Sequence, residues 1–471
     1  MNICLLNESF PPVIDGVANV VMNYADALIR DHSASVIVGT PRYPDADYSR
    51  FAYPVVAYPS IDTASVTNGY RTGNPFTEKA LDRLAQFFPD IIHSHGPASA
   101  TIIARLLREK TNAPVVFTYH TKYDIDIKRV VHARLVADET IAAMVGNIEA
   151  CDEVWTVSRG AGESLRALGF QGDYRVMNNG VDFPKGRMPL SAVLEATAGY
   201  DLPEGVPVFL YVGRMISYKG LPLLLDALKL LSGYGADFRM VFIGKGPDQA
   251  LLEEKAKSLG LTGNGNHPDQ CIFVGPIYDR DVLRSWNTRA DLFLFPSTFD
   301  TNGLVVREAA ACGLASVLIE GSCAAEGVTD GRNGFTVRET PEAVAGLLEQ
   351  VCGDLDHLRD IGKHAMDELY LSWKECVGRA YQRYEVILEN WRSGTMPERK
   401  RQPTDSLVRL TAKTMEQSEQ FRNIGADLLR DFRETAGGMM ENFQETEETA
   451  VHFLEQLTGN LYHGMIHKRK E

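Results

Sequence analysis

LFLFPSTFDTNGLVVREAAACG, which covers Leu292–Gly313, joins two apolar runs through a short polar turn. The first run is apolar without alternation, which is typical of a buried strand in a parallel sheet. The second run predicts a helix that begins just after Gly303. Asp300 lies in the turn and Glu308 lies within the helix. Because a helix N terminus favours an anion and glycine allows close approach of the backbone, this unit predicts a ligand site.

Two roles are open for the two acids of this stretch. In one, Asp300 and Glu308 accept hydrogen bonds from the hydroxyl groups of a sugar or another polyol. In the other, Asp300 caps the helix and Glu308 is a surface acid. The other motifs along the chain favour the first role.

The alternation of apolar strands with helices extends over most of the 471 residues. One series occupies residues 1–190, a second occupies 200–371, and a connection with proline and glycine lies around 182–207. Uninterrupted apolar strands between helices predict parallel sheets that are covered on both faces. We therefore expect an α/β protein with two doubly wound, Rossmann-like domains facing a cleft. Ligands of such domains bind beyond the carboxyl ends of the strands.

The composition excludes several classes of protein. The formal net charge of −14 argues against a general nucleic-acid binder, which needs a basic face. The seven cysteines are scattered and form no CxxC pattern, which is typical of reduced thiols. Neither a signal peptide nor an apolar run of membrane-spanning length is evident. We expect a cytoplasmic protein, with a peripheral contact at the inner face of the membrane as an open alternative.

The second series places cations and glycines just after its strands. Arg214 and Lys219, in YVGRMISYKG, can neutralise a diphosphate, although such a pair taken alone is more often part of a solvated loop. Gly244, in FIGKGP, can make room for a nucleotide. The backbone near Ile277 can bond a base edge. None of these short patterns is diagnostic alone.

The first series offers a glycine and three histidines in corresponding places. Gly16 opens the first helix and suits close contact with a phosphate or sugar, while His93, His95 and His120 lie at strand ends. A histidine at a strand end is more often a satisfied hydrogen-bonding residue than a catalyst. Three together raise a metal site as an alternative, but no carboxylate or thiolate stands at ligand spacing beside them.

Two aspartate pairs with the spacing DxD, at Asp45–Asp47 and Asp124–Asp126, are reminiscent of a metal-binding motif. Neither pair follows a buried strand in the expected manner. We interpret both as chance, and expect no metal and no cofactor.

The motifs FPPVIDG, YHT, VSRG, NNGVD, VGRMISYKG, IGKGP, VGP and STFDTNGLVVREAAACG occur in this order over residues 1–392. Together they resemble the family 4 retaining glycosyltransferases of the GT-B fold. The E-x7-E pattern of that family falls on Asp300 and Glu308, so an aspartate replaces the usual first glutamate. The contact of that acid with the donor sugar therefore differs from the family's pattern by one methylene.

The resemblance implies a metal-independent hexosyltransferase of the 2.4.1 type, which uses a nucleotide sugar such as UDP-glucose. It implies a catalytic set in which Arg214 and Lys219 hold the donor diphosphate, Asp300 contacts the sugar and His120 lies near the transferred sugar. The acceptor hydroxyl would enter on the face that the leaving nucleoside diphosphate vacates.

The resemblance also implies a donor-binding set around these residues. Glu308 would accept from the ribose, and Gly16 would lie near the distal phosphate or the acceptor. Backbone N–H groups would reach phosphate and sugar from Asn302, Gly303 and Leu304, with Gly244 and Ile277 completing the donor site.

The acceptor is the least determined part of the interpretation. FTYHTKYD looks like the corresponding stretch of glycolipid-forming members, which favours a lipid such as diacylglycerol. Soluble sugars, inositol phosphate and growing polysaccharide are alternatives. Two alternatives concern the function of the whole protein. One is an epimerase or phosphorylase on the same fold, and the other is a non-catalytic scaffold protein that works through its tail.

The C-terminal part divides into a crossover and an extension. Residues 372–392 resemble the helix that returns from the second domain of the GT-B fold to the first. Residues 396–471 carry apolar stripes that predict a helical tail, folded on its own chain or on a second copy as a homo-oligomer. Membrane-surface binding is the alternative, because ERKR and HKRK flank the tail.

Overall fold

The computed structural model divides the chain into two compact units, Met1–Arg409 and Leu410–Glu471. No helix among the described residues is both long and apolar enough to cross a bilayer. The structure describes residues 1–13, 15–63, 71–123, 127, 134–263, 269–397, 402, 404–406, 408–412 and 414.

The first domain contains the strands β1 (Asn2–Leu6), β2 (Ser35–Pro41), β3 (Val55–Tyr58), β4 (Ser60–Asp62), β5 (Arg71–Gly73), β6 (Ile91–Ser94), β7 (Val115–Tyr119), β8 (Glu153–Thr156) and β9 (Arg175–Val176). Seven of them form a parallel sheet in the order β3-β2-β1-β6-β7-β8-β9, and β4 pairs with β5 as a separate antiparallel ribbon. The helices are α1 (Gly16–His32), α2 (Glu78–Ala85), α3 (Ser99–Thr111), α4 (Arg134–Glu149) and α5 (Arg159–Ala167).

The second domain contains the strands β10 (Val208–Val212), β11 (Arg239–Ile243), β12 (Cys271–Gly275), β13 (Leu292–Phe295), β14 (Ser316–Ile319) and β15 (Phe335–Val337). They form a parallel sheet in the order β12-β11-β10-β13-β14-β15. The helices are α6 (Leu190–Ala196), α7 (Leu221–Gly233), α8 (Gln249–Ser258), α9 (Arg280–Arg289), α10 (Leu304–Ala311), α11 (Pro341–Val351) and α12 (Leu355–Glu368), followed by α13 (Trp373–Ser393).

Both sheets are doubly wound, because the strand order reverses beside the first strand of each. The reversal lies between β1 and β6 in the first sheet and between β10 and β13 in the second. The strands β6, β7 and β13 are buried along their whole length, as is usual for strands of a parallel sheet that is covered on both faces. The prediction of two Rossmann-like domains is confirmed, and each has a crevice at its point of reversal.

Helix α13 packs on the first domain although it follows the second in sequence. It begins with a capping box between Ser372 and Glu375 and ends at Gly394 in the left-handed conformation. Its buried face, which includes Val377 and Tyr384, belongs to the same apolar cluster as β1 and α1. Burial of this face ties the end of the second domain to the core of the first.

The structure adds two details to the sequence interpretation. The connection over 182–207 contains a helix, α6, and the segment before it is held by a hydrogen bond from the Met188 N–H to Thr288 Oγ1 (3.1 Å) on α9. Strand β9 is only two residues long, because the chain pairs with β8 at Arg175 and Val176 alone.

The residues that follow α13 return to the first domain where the structure describes them. The buried Arg105 guanidinium donates to Thr404 Oγ1 (2.8 Å) and Asp405 Oδ1 (3.0 Å), and Gln402 donates to Glu149 (2.9 Å). The apolar stripes of the tail beyond residue 414 lie outside the described residues. The domain boundaries, the helical tail and its oligomeric or membrane role stay predictions.

Replacing a buried residue of α13 should destabilise the first domain. Ile387 is fully buried and its neighbour Val386 is 40% exposed, so Ile387→Ala should lower the free energy of unfolding by about 2–5 kcal/mol. Val386→Ala, as the matched control, should change it by less than about 0.5 kcal/mol. Urea unfolding measures both, and equal effects would show that α13 does not contribute to the core.

Candidate active site

The ends of β10 and β13 bring Lys219 and Asp300 together. Lys219 closes a short 3₁₀ turn after β10, is largely buried, and its Nζ lies 2.6 Å from Asp300 Oδ1 and 5.8 Å from the centroid of the Phe295 ring. Gly220 follows with a φ of 79°, and a Cβ there would lie 2.6 Å from the Pro296 carbonyl oxygen. The glycine therefore lets this turn close against the chain that leaves β13.

The turn from Asp300 to Gly303 contains polar groups that make no hydrogen bond to the described part of the protein. Among the described residues, Asp300 Oδ2 and both amide atoms of Asn302 are buried and have no hydrogen-bond partner. Gly303 is left-handed, with φ 60° and ψ 51°, and no side-chain hydrogen bond caps α10, which begins at Leu304. The Val306 N–H already donates to the Gly303 carbonyl (2.9 Å), and the positive end of the dipole favours an anion at the N–H groups before it.

Glu308 is held by a residue that the sequence motifs did not reveal. Arg280 Nη2 lies 2.5 Å from Glu308 Oε1 and 3.8 Å from Asp182 Oδ2, and its guanidinium lies 4.4 Å from the centroid of the Phe183 ring. Burial raises the pKa of Glu308, and the Arg280 charge opposes that shift. The ion pair fixes one carboxylate oxygen of Glu308 on Arg280.

Arg214 lies on the same loop as Lys219 but is exposed. Its Nη2 is 3.4 Å from the Tyr218 hydroxyl, and its carbonyl oxygen accepts from the buried Tyr211 hydroxyl at 3.1 Å. The backbone of Arg214 is thereby fixed while the guanidinium remains accessible. The structure thus brings both predicted cations to one strand end, with Lys219 buried and paired and Arg214 facing solvent.

The predicted glycines differ in what the fold requires of them. At Gly244, with a φ of 140°, a Cβ would lie 1.9 Å from the Gly213 carbonyl oxygen, so contact between the two loops already requires glycine there. At Gly16 a Cβ would meet nothing within 4 Å, although Asp15 already caps α1 by accepting from the Ala18 N–H. Ile277 is half-buried against the core of the second domain. Of the two glycines, only Gly16 is not required by contacts within the fold.

The three histidines form one buried cluster at the ends of β6 and β7. His93 bonds the Tyr384 hydroxyl of α13 (2.5 Å) and the Thr118 hydroxyl (2.7 Å), while His95 Nδ1 lies 2.9 Å from His120 Nε2. Burial lowers the pKa of His120 to about 3 and the pKa values of His93 and His95 well below 6.5. All three rings are therefore neutral at pH 7. In the described part of the chain, no three histidine, cysteine or acidic side chains are arranged so that they could hold a metal ion.

The turn of the second domain touches the first domain directly. The Thr301 hydroxyl donates to the His120 carbonyl (2.5 Å), and the Thr301 carbonyl accepts from the Ser158 hydroxyl (2.5 Å). Lys122 Nζ donates to the Thr298 carbonyl at 3.1 Å. The predicted facing of the strand ends is thus visible as hydrogen bonds. Ser158 and Lys122 lie in the motifs VSRG and FTYHTKYD, but these motifs did not indicate their contacts with the second domain.

A carboxylate makes a further contact across the same boundary. Glu326 accepts from the N–H groups of Arg159 (2.7 and 2.9 Å) and Gly160 (3.4 Å), which begin α5 of the first domain. A carboxylate at a helix N terminus is favourable, because it meets unpaired N–H groups and the positive end of the dipole. The contact therefore stabilises the close approach of the two domains.

Two family models match successive parts of the chain. The family model Glycosyltransferase Family 4 matches residues 14–184, and the model Glycosyl transferases group 1 matches residues 195–367. The first range covers the first sheet except β1, and the second covers the second sheet with its turn at Asp300.

The relatives cover most of the two domains. D-inositol 3-phosphate glycosyltransferase 2 of Catenulispora acidiphila is 29% identical over 339 residues, which are 68% of this chain and 76% of the relative. Alpha-monoglucosyldiacylglycerol synthase of Streptococcus pneumoniae is 24% identical over 318 residues, 66% of this chain and 70% of the relative. The crystal structure of Anabaena HepE in complex with UDP matches with a TM-score of 0.64 at 17% identity, covering 82% of this chain and all of HepE, which shows the common fold.

The neutral histidines should make folding sensitive to acid. An unfolded His120 takes up a proton near pH 6.5, whereas the folded ring does so only near pH 3, so the unfolded state binds more protons between these values. The free energy of unfolding should therefore fall as the pH drops below 6.5, by about 1.4 kcal/mol per pH unit for this ring, and its contribution should be constant above 6.5.

His120→Gln should reduce the slope of the free energy of unfolding against pH by the contribution of one proton, about 1.4 kcal/mol per pH unit. Urea unfolding of both proteins at several values between about pH 7.5 and 4.5 gives the two slopes. Identical slopes would mean that His120 is protonated in the folded protein.

Proposed function

We propose that this chain, a family 4 glycosyltransferase of the GT-B fold, transfers glucose from UDP-glucose to an acceptor hydroxyl with retention of configuration. Glucose is chosen because the Streptococcus pneumoniae relative is named a monoglucosyldiacylglycerol synthase. UDP is the nucleotide with which HepE was solved. The observation that carries the proposal is the meeting of Lys219, Asp300 and the N terminus of α10 where the order of the second sheet reverses.

The cations and the helix supply what a departing nucleoside diphosphate needs. Negative charge grows on the diphosphate as its bond to the sugar breaks, and fixed positive groups stabilise that charge without reorganising. The Lys219 ammonium is held in place by Asp300, and the first turn of α10 offers N–H groups. The exposed Arg214 guanidinium, whose backbone is anchored to Tyr211, can clamp the phosphates from the solvent side.

Glu308 is proposed to bind the ribose. One of its oxygens is fixed by Arg280, which leaves the other to accept from a hydroxyl group. The carboxylate lies on α10, the helix whose N terminus would meet the diphosphate, so ribose and phosphates would be bound by one rigid element. Arg280 acts in this scheme as a positioning residue.

His120 is proposed to act beside the transferred sugar as a neutral hydrogen-bonding group. Burial keeps its ring unprotonated at pH 7, so it does not serve as a general acid there. Its backbone carbonyl accepts from Thr301, which brings the first domain against the turn at Asp300. Such closure excludes water from a reactive sugar. The acceptor's proton can pass to the leaving phosphate, so the scheme requires neither a metal ion nor a cofactor.

The acceptor is proposed to be a lipid hydroxyl such as that of diacylglycerol. The FTYHTKYD stretch and the similarity to the diacylglycerol synthase support this choice. The second candidate is a phosphorylated polyol, because the Catenulispora acidiphila relative is named an inositol 3-phosphate glycosyltransferase. In both cases we propose a cytoplasmic enzyme, and for the lipid a peripheral contact with the membrane.

Loss of the exposed guanidinium should slow the transfer strongly. Arg214→Ala should lower the rate of UDP release from UDP-glucose by about 100- to 1,000-fold, because it removes charge stabilisation of the leaving group. Glu308→Ala should weaken donor binding. Lys229→Ala, at an exposed position of α7, is the matched control and should behave as the unaltered protein. A chelator should not change the rate.

Activity that survives Arg214→Ala and Glu308→Ala together would contradict this site. If the unaltered protein releases no UDP, other nucleotide sugars are tested in the same assay. Binding of a partner without turnover of any of them would favour the scaffold alternative.

The acceptor can be identified in the same assay. UDP release should rise at least about tenfold when diacylglycerol is added in mixed micelles, since transfer to the lipid outpaces transfer to water. Micelles without diacylglycerol are the control, and NMR of the glycolipid gives the anomeric configuration. Stimulation by inositol phosphate in place of the lipid would overturn the lipid proposal in favour of the second candidate.

A further inference from the structure

The side chain of Asn302 is buried but makes no hydrogen bond to the described part of the chain. Only 6% of the residue is exposed, and both Oδ1 and Nδ2 lack a hydrogen-bond partner within the part of the chain that the structure describes. A buried amide without partners destabilises a folded protein, so such groups are rare and need an explanation. The predicted role of Asn302, through its backbone N–H, does not involve these atoms.

The backbone on both sides of Asn302 is fixed. Thr301 is held by two hydrogen bonds to the first domain, to the His120 carbonyl and from the Ser158 hydroxyl. Gly303 is left-handed, and a Cβ on it would lie 2.9 Å from Ala324 Cβ. The backbone that carries the amide is therefore held at the turn where the two domains touch.

A second unsatisfied group lies two residues earlier. Asp300 Oδ1 is bound to Lys219 Nζ at 2.6 Å, whereas Asp300 Oδ2 is buried and has no partner among the described residues. The ion pair fixes the carboxylate, so that Oδ2 has a defined direction. One turn thus presents two unsatisfied acceptors, Asp300 Oδ2 and Asn302 Oδ1, and one unsatisfied donor, Asn302 Nδ2.

This set of groups matches hydroxyl groups and not phosphate. An ionised phosphate only accepts hydrogen bonds, so it would satisfy Nδ2 and leave both oxygens unpaired. A hydroxyl group both donates and accepts, and neighbouring hydroxyls on a sugar ring can satisfy all three atoms. The chemistry of the turn therefore indicates a neutral polyol next to the cations that would bind the diphosphate.

We propose that the Asn302 side chain, together with Asp300 Oδ2, reads the hydroxyl groups of the transferred sugar and so determines which donor is accepted. The inference rests on the proposed function and adds to it a specificity-determining side chain. It separates two parts of one turn: the backbone at α10 and the cations bind the diphosphate, while the two side chains bind the sugar.

The test compares binding of UDP with binding of UDP-glucose. Asn302→Leu, of similar size, and Asn302→Ala should weaken UDP-glucose by roughly 10- to 100-fold, because a bound hydroxyl would lose its partners. Binding of UDP should change less than about twofold. Calorimetric titration measures both affinities, and a UDP-deoxyfluoroglucose series, in which fluorine cannot donate, should show which hydroxyl is read.

Thermal unfolding separates this role from a structural one. Asn302→Leu removes an unsatisfied polar group, so the melting temperature without ligand should stay equal or rise. Asn287→Leu is the matched control: Asn287 is 2% exposed on α9, its Oδ1 also lacks a partner, and its Nδ2 donates to the Leu283 carbonyl (2.9 Å). That change should leave the affinity for UDP-glucose unaltered.

Each other result overturns the inference. Equal weakening of UDP and UDP-glucose would place the effect on the nucleotide or the fold, and unchanged affinity would mean that the amide binds only water. A lower melting temperature for Asn302→Leu would indicate a structural role. If the unaltered protein binds neither UDP nor UDP-glucose, the proposed donor is refuted and the inference falls with it, whereas a loss confined to the variants leaves the donor standing.

Discussion

The site depends on a constraint of parallel sheets, which is that neighbouring strands on opposite sides of a reversal point end at the same edge. In the second sheet β10 and β13 are neighbours, although β11 and β12 lie between them in sequence. The chains leaving them diverge to opposite faces, and a crevice opens between the two connections. Lys219 follows β10 and Asp300 follows β13, so residues 81 positions apart meet at 2.6 Å.

Charge in this crevice is organised by pairing and by neutrality. Each half-buried acid of the site has a cation beside it, Lys219 for Asp300 and Arg280 for Glu308, which offsets the cost of leaving water. The histidines across the boundary follow the other route, since burial keeps their rings neutral. The positive charge that a nucleoside diphosphate would meet there therefore comes from the cations of the second domain and not from the histidine cluster.

Sequence patterns predicted the architecture and the strand-end location of the site, because unbroken apolar strands and short glycine-containing turns are local features. They did not predict Arg280 as the partner of Glu308, because that ion pair joins the start of α9 to α10 through tertiary structure. They also gave no sign of the contacts that Thr301 makes with the first domain. Gly244 in FIGKGP was interpreted as making room for a ligand. The fold itself already requires glycine at this position, because a side chain would clash with the Gly213 carbonyl.

The aspartate at position 300 and the amide at position 302 are best understood together. An aspartate reaches about 1.5 Å less far from the backbone than the glutamate that the family pattern places there, and Lys219 holds one of its oxygens at the strand exit. A sugar bound over α10 would thus lose part of the contact that a longer acid provides. Asn302 supplies a second buried polar group in the same turn, which can donate as well as accept. In the proposed donor site, a shortened acid with an added amide would keep the number of sugar contacts and would change the pattern of hydroxyl groups that satisfies them.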